Sequence, residues 1–296
     1  MRFALSAEQR QLAASVHALL SGADVPAAAR AWAAADAEPG LDLLRRLAKI
    51  GVAELADLPV ELVVTLEELG RHAVPGPLVE SYAVAPALGL TAELATVALP
   101  PHVPYALDAD VATAFVVVGD TLHHAEPGAR RASVDPTRRL FEVRAGKPVG
   151  AAAAAAFDLG VLCQSAQLLG LGRGLLDQSA AYVRQRNQFG RPVGQFQAVK
   201  HHLANVLVAL EFARPLVHGA AVTGTARDVS AARIAASDAA YLAARAALQV
   251  HGAVGFTAEH DLSLWLTKVR ALRSAWGTQA WHRRRVLDAL TSRARR

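Results

Sequence analysis

Tyr182-Val183-Arg184-Gln185-Arg186-Asn187-Gln188-Phe189-Gly190-Arg191-Pro192-Val193-Gly194-Gln195-Phe196-Gln197 joins two apolar helical patterns through a turn. Upstream, a helical pattern covers 153–187. Gly190 and Pro192 interrupt it, and a second pattern covers 196–222, with Pro215 predicted as a kink. In the second stretch Phe196, Val199, Leu203, Val206, Leu207 and Leu210 recur at spacings of three and four, which predicts one apolar stripe. Two more patterns, 230–250 and 259–290, complete an expected C-terminal four-helix bundle over 150–296.

Working outward, residues 1–90 read as a small helical domain. Ser6-Ala7-Glu8-Gln9 fits a capping box that opens a helix running through Leu20. Helical patterns follow at 41–49 and 60–71, Pro75-Gly76-Pro77 stops them, and a short patch follows at 78–85. Between 91 and 149 the pattern changes. The β-branched run 114–118, the Gly119-Asp120 turn and 121–125 predict a hairpin, and Pro101, Pro104, Pro127, Pro136 and Pro148 oppose helix. Under 60 residues cannot build a core of their own, so this β-rich piece must pack on the helices. The expected fold is mainly α, with a truncated β-rich middle.

Composition excludes several classes. At 53% hydrophobic and 19% charged the chain is globular, and at 5% aromatic with abundant alanine its core must come from closely approaching helices. A net charge of +5 over 296 residues is too dilute for nucleic acid. One cysteine, Cys163, rules out a disulfide framework or a multi-cysteine metal site and fits a reducing compartment, so a cytoplasmic location is expected. No apolar signal region opens the chain. The long apolar runs are alanine-rich and interrupted by Arg, Asp or Gly, so neither secretion nor membrane spanning is expected.

Gly170-Leu171-Gly172-Arg173-Gly174 sits within a helical pattern rather than after a strand, so its small residues read as a close helix contact, not a nucleotide loop. The pairs His123-His124 and His201-His202 are sequence neighbours that point different ways, and neither makes a metal site by itself. The basic tail 282–296 reads as a solvated helix face. The turn quoted first is different. A guanidinium such as Arg186 makes charge-assisted bonds to phosphate, and the start of the next helix offers free N–H groups, so the corner suits a diphosphate. In Gln249-Val250-His251-Gly252-Ala253-Val254-Gly255-Phe256-Thr257-Ala258-Glu259, glycine permits both a left-handed helix end and close approach of a ligand.

In this order, with Gln249 following Arg186 by 63 residues, the two segments resemble the acyl-CoA dehydrogenase family. That family carries an Arg-x-Gln/Thr-Phe-Gly turn, a Phe-Gln or His-Gln pair, and then Gln-x-x-Gly-Gly-x-Gly-Tyr/Phe-x-x-Glu. Ala253 replaces the second glycine. Weaker agreement comes from Phe3-x-Leu5-Ser6-x-Glu8-Gln9, and from Leu66-Glu67-Glu68-Leu69-Gly70-Arg71 with Pro75-x-Pro77. The resemblance implies FAD contacts from Arg186, Gln188, Phe189, Val193, Phe196, Gln249, Gly252, Ala253 and Thr278.

Family members desaturate acyl-CoA thioesters: a carboxylate takes the α proton while the flavin accepts the β hydride. In most, the base is a glutamate in Tyr-Glu-Gly-Thr; here Ala275-Trp276-Gly277-Thr278 matches it, and Trp276 cannot accept a proton. In others the base follows Asp-Leu on the first bundle helix; here Gly160 follows Asp158-Leu159. No catalytic residue is therefore expected. The family's Thr-Glu-Pro and Gly-Ser flavin-ring loop has no counterpart between 91 and 149. Because each FAD in the family crosses a subunit interface, the resemblance implies a non-catalytic subunit, similar to those of two-gene enzymes of bacterial sterol side-chain degradation. It would lend its diphosphate corner to a full-length catalytic partner, in an assembly of two copies of each chain that passes electrons to an electron-transfer flavoprotein. The alternatives are a self-sufficient dehydrogenase with a displaced base, for which Glu259 and Glu142 are the first acids to test, and a flavin-free scaffold.

Overall fold

A computed structural model describes residues 4–294, so Phe3 and the last two arginines of the tail lie outside the described residues. The chain is mainly helical, with a small mixed sheet between two groups of helices. Helix α1 (Ala7–Ser21) has the expected capping box: Gln9 N–H donates to Ser6 Oγ at 3.1 Å, and Ser6 N–H to the Gln9 side chain at 2.9 Å. Helix α2 (Val25–Ala33) went unread in the sequence, although Asp24 caps it at Ala27 N–H, 3.0 Å away, and Val25, Ala28, Ala29 and Trp32 share its buried face. Helices α3 (Glu38–Lys49) and α4 (Pro59–Arg71) follow, α3 beginning three residues before the expected start. The patch at 78–85 is not an ordinary α-helix. Its centre, Glu80–Val84, is wound as a π-helix that passes into the single turn α5 (Ala85–Ala87).

Strands β1 (Ala95–Ala98), β2 (Ala106–Leu107), β3 (Thr113–Val118), β4 (Thr121–Arg131) and β5 (Leu140–Ala151) form one sheet in the order β1-β3-β4-β5-β2. The expected hairpin is present, with Val118 opposite Thr121, but β4 continues past Ala125 to pair with β5. Pro127 and Pro148 are tolerated inside these strands because the ladder slips register beside them. The sheet leans on the helices as expected: Leu94, Val97, Phe115 and Leu122 join the helical core, and only Ala106, Ala109 and Ala114 form a separate small cluster. Polar ties add to this. Trp32 Nε1–H donates to buried Asp108 at 3.1 Å, the Arg139 guanidinium bonds Asp110 and the Trp32 carbonyl, and Lys268 Nζ reaches Thr137 Oγ1 at 2.7 Å.

The C-terminal group begins with α6 (Ala154–Gln185), whose glycines explain the Gly-Leu-Gly-Arg-Gly run. A Cβ on Gly170 would lie within 3 Å of Glu67 and Arg71 backbone atoms, and one on Gly174 within 3 Å of Arg71 O, so α4 and α6 touch backbone to backbone. A two-stranded ribbon, β6 (Asn187–Gln188) and β7 (Arg191–Pro192), leads to α7 (Gln197–Thr223), which runs unbroken through Pro215 where a kink was expected. Then come α8 (Ala226–His251), α9 (Leu262–Leu272) and α10 (Gln279–Ala294). The single helix expected over 259–290 is thus two, because Trp276 (φ 58°) and Gly277 (φ 96°) turn the chain sharply.

One more expectation needs correction. The α7 stripe is only partly inward: Val206 and Leu210 are buried, but Leu207 is 40% exposed, and Val208, Phe212, Leu216 and Val222 also face outward. By length and apolarity alone α6 and α7 are each long enough to cross a membrane; 72% of α6's apolar stretch is buried inside the protein, against 39% of α7's.

Candidate functional site

At the end of α6 the backbone becomes extended at Arg186, turns back through Phe189 (φ 55°) and Gly190 (φ 78°), and is pinned where Val193 N–H donates to Arg186 O at 2.8 Å. Across from it α8 ends at Gly252 (φ 61°, ψ −138°), a conformation that side chains resist. Between these ends lies a hollow of about 420 Å³ that brings together Arg186, Gln188, Val193, Gln249, Gly252 and Ala253. It continues into a second hollow of about 540 Å³, where His202, Asn205 and Arg245 join Gln249. Neither Arg186 nor Arg245 forms an ion pair with another described residue. None of the residues lining either hollow carries a carboxylate.

The remaining sequence-predicted residues fall elsewhere. Phe189 is 89% exposed and meets the Phe196 ring edge-on at 6.1 Å, while the Arg191 guanidinium lies 4.2 Å from the centre of the Phe196 ring. Neither ring lines the hollows. Thr278 sits at the start of α10, where its Oγ1 accepts from Trp281 N–H at 3.2 Å. The sequence reading missed Tyr182 and His251, stacked at 4.3 Å to form one wall, as well as His202 and Arg245. His251 Nδ1–H donates to Ala247 O at 2.8 Å, and burial pushes its pKa down. The signal for His251 was its place immediately before Gly252; His202 and Arg245 belong to no local motif.

The two base positions meet in space. Trp276 is 2% exposed, and a Cβ built on Gly160 would come within 3 Å of three carbons of its indole. The ring therefore fills the place a side chain at 160 would need. The surrounding turn is held from two sides. His282, read from sequence as part of a solvated tail, is fully buried: its Nε2 bonds the Trp276 carbonyl at 2.9 Å and its Nδ1 the Ser230 hydroxyl at 3.1 Å. A carbonyl can only accept, which makes Nε2 the donor and Nδ1 the acceptor of a neutral ring. Burial pushes the His282 pKa down to about 4. Arg233, also buried, donates to the carbonyls of Leu272, Arg273 and Ala275 and so caps the end of α9. Arg285 of the same tail pairs with Asp158, while Arg283 and Arg284 do stay exposed.

One face of Trp276 borders a cleft of about 320 Å³ with His102, Tyr105 and Arg138. Another borders a void of about 20 Å³ beside Glu80, Gln164, Gln167 and Lys268. That void holds no more than a single water. Glu80 is the only carboxyl among its lining residues, and burial raises its pKa. Of the acids considered from sequence, Glu142 is tied to Arg131 on the β4–β5 ribbon, and Glu259 lies in the connection before α9, where its carbonyl accepts from Arg30.

This arrangement of helices, small sheet and helices is the acyl-CoA dehydrogenase fold. A chain of the Tcur3481–Tcur3483 steroid ACAD superposes with a TM-score of 0.84 at 21% identity, covering 98% of this chain and 99% of that one. A chain of the ChsE4–ChsE5 complex from Mycobacterium tuberculosis gives 0.79 at 20% identity, covering 98% and 99%. In sequence, residues 150–291 match the family described as acyl-CoA dehydrogenase, C-terminal domain. Acyl-CoA dehydrogenase IpdE2 of Mycolicibacterium smegmatis is 32% identical over 315 residues, which cover 95% of this chain and 98% of IpdE2. The chain belongs to the acyl-CoA dehydrogenase family, whose members generally use FAD.

Proposed function

We propose that this chain is the non-catalytic subunit of a heteromeric acyl-CoA dehydrogenase, giving its diphosphate corner to FAD held mainly by a catalytic partner. The observation that carries the reading is the indole of Trp276 packed against Gly160: both positions where relatives keep a base lack a carboxylate, and the space is filled. The void of about 20 Å³ on one side of that indole is too small for a thioester, and the cleft of about 320 Å³ on its other side has no carboxylate among its lining residues. The corner, in contrast, suits a diphosphate, because it offers the unpaired guanidiniums of Arg186 and Arg245 and the amides of Gln188 and Gln249 with no opposing carboxylate. Bound there, FAD would supply two-electron acceptance during desaturation. This chain's own task would be to neutralise the diphosphate and shield it from water. Tyr182 and His251 would form a wall of the same recess.

The exposed apolar face of α7, with Val208, Phe212 and Leu216, supports a protein partner across this side of the bundle. The heteromeric assembly named for the ChsE4–ChsE5 complex and the steroid substrate class named for the Tcur3481–Tcur3483 protein fit the same reading. A steroid-derived acyl-CoA substrate, two copies of each chain and an electron-transfer flavoprotein as acceptor belong to the proposal. The test is the visible spectrum of the chain purified alone and with the full-length homologue encoded beside it. Flavin absorption only in the joint preparation, bleached by acyl-CoA in a single turnover, is the expected result. A yellow, active homotetramer of this chain alone would overturn it.

A further inference from the structure

Far along the chain from the corner, α1 and α4 bring three metal-ligating side chains together. Glu68 on α4 and His72, which caps the helix's end, are four residues apart and lie on the same side of it. His17 comes across from α1. His17 Nδ1 lies 2.9 Å from His72 Nε2 and 3.2 Å from Glu68 Oε2, and all three atoms fall within 4.8 Å of one another.

Protons alone do not satisfy this cluster. His17 Nδ1 can hold one hydrogen at most and faces two neighbours. If it donates to Glu68, then His72 Nε2 must turn a lone pair toward the same nitrogen's edge or a second hydrogen against it. If it accepts from His72 instead, its lone pair and the carboxylate face each other without a proton between them. The structure has the second problem: Glu68 Oε2 is buried and has no hydrogen-bond donor among the described residues. The obvious cation does not resolve it. Arg71 approaches that oxygen only to 3.6 Å, because Asp177 holds its Nε and Nη2 at 3.0 and 2.7 Å. Arg173, 3.4 Å from Asp177, faces the same acid rather than the cluster.

We propose that His17, Glu68 and His72 form a binding site for a divalent transition-metal ion of the zinc class, clipping α1 to α4. Two imidazole nitrogens and one carboxylate oxygen are a complete three-ligand zinc set, with the fourth position left to water. Ligand bonds of ~2.0–2.1 Å in a tetrahedron place ligand atoms about 3.3 Å apart, a few tenths of an ångström from the 2.9 and 3.2 Å that separate His17 Nδ1 from His72 Nε2 and Glu68 Oε2. Access exists, since the His17 side chain is 39% exposed. The outer contact also fits: His17 Nε2 meets Ser21 Oγ at 3.4 Å, leaving Nδ1 for the ion. The clip would complement Gln9 Nε2–H, which donates to Glu61 Oε1 at 3.0 Å nearer the start of both helices. The site does not depend on the flavin reading.

The test titrates the full chain, free of any histidine tag and in the assembly in which it purifies, with Co²⁺ followed optically and with Zn²⁺ in competition with a chelating dye. One Co²⁺ per chain with the intense visible absorption of four-coordinate geometry is expected, displaced by one Zn²⁺, together with a rise in melting temperature. His17→Gln and His72→Gln should each weaken Zn²⁺ binding at least about 100-fold, while exposed His124→Gln leaves it unchanged. His17 is partly exposed, so its variant remains informative if His72→Gln does not fold. Pale, six-coordinate-type cobalt spectra, or equal affinity in wild type and His17→Gln, would overturn the proposal.

Discussion

Two regions of the chain contrast in how they are filled, the corner where α6 and α8 end and the turn around Trp276. The corner between α6 and α8 is open, cationic and unpaired, with hollows of about 420 and 540 Å³. At the other region the space between the helices is filled: Trp276 is buried, Gly160 lies directly under it, and the void on its inner side is about 20 Å³, the cleft of about 320 Å³ lying on its other face. Random decay would erode both alike. Here the corner keeps the solvent-facing Arg186 and Arg245 without an ion-pair partner among the described residues, while Trp276 and Gly160 are packed into the core.

The sharpest attack on this contrast is to remove the plug. Trp276→Ala should destabilise the chain by about 3–5 kcal/mol, the usual cost of emptying a large aromatic site, in denaturant unfolding. A loss under 1 kcal/mol would mean that the indole fills nothing. Next is the corner: Arg186→Ala should weaken FAD retention in the assembled enzyme by roughly 1.5–3 kcal/mol through lost charge-assisted bonds, seen as flavin dissociating during gel filtration. Unchanged occupancy would make Arg186 a surface arginine.

Gly160→Ala should cost about 1–3 kcal/mol by overpacking against the indole, and much less in a Trp276→Ala background. Additive costs would contradict the contact. A smaller effect is expected with pH. The folded pKa of His282 is lowered to about 4, so its contribution is present above the unfolded value near 6.5 and is lost as pH falls from there toward 4, by about 2 kcal/mol at pH 5. The melting temperature of His282→Gln should accordingly fall less steeply than wild type between pH 7 and 4.5. Smallest of all, Trp276→Glu should restore no flavin reduction by acyl-CoA in this chain, whereas replacing the partner's base should abolish it with flavin still bound. Bleaching lost on mutating Glu142 or Glu259 here would make this subunit catalytic.

Much of this was legible locally. Ser6 and Gln9, three apart, announced a cap that both side chains make, and the glycines at 170 and 174 announced a helix contact that α4 supplies. Arg186, Gln188 and Gln249 converge because turn and helix-end signals are short-range. What stayed hidden depends on neighbours distant in sequence. The buried face of helix α2 is largely small alanines, the break at Trp276 needs a positive φ on a non-glycine, and buried His282 is held by Ser230, 52 residues away. Phe189 and Phe196 look like pocket aromatics in a motif, yet they meet edge-on, with Arg191 over the Phe196 ring, outside the recess.

The interlock between Gly160 and Trp276 also acts as a ratchet. A carboxylate reintroduced at 160 would collide with the indole, and one reintroduced at 276 would lose the ring that now completes the core. Each single substitution is opposed by the residue standing at the other position, so on the proposed reading a route to an independent enzyme requires coordinated changes at 160 and 276.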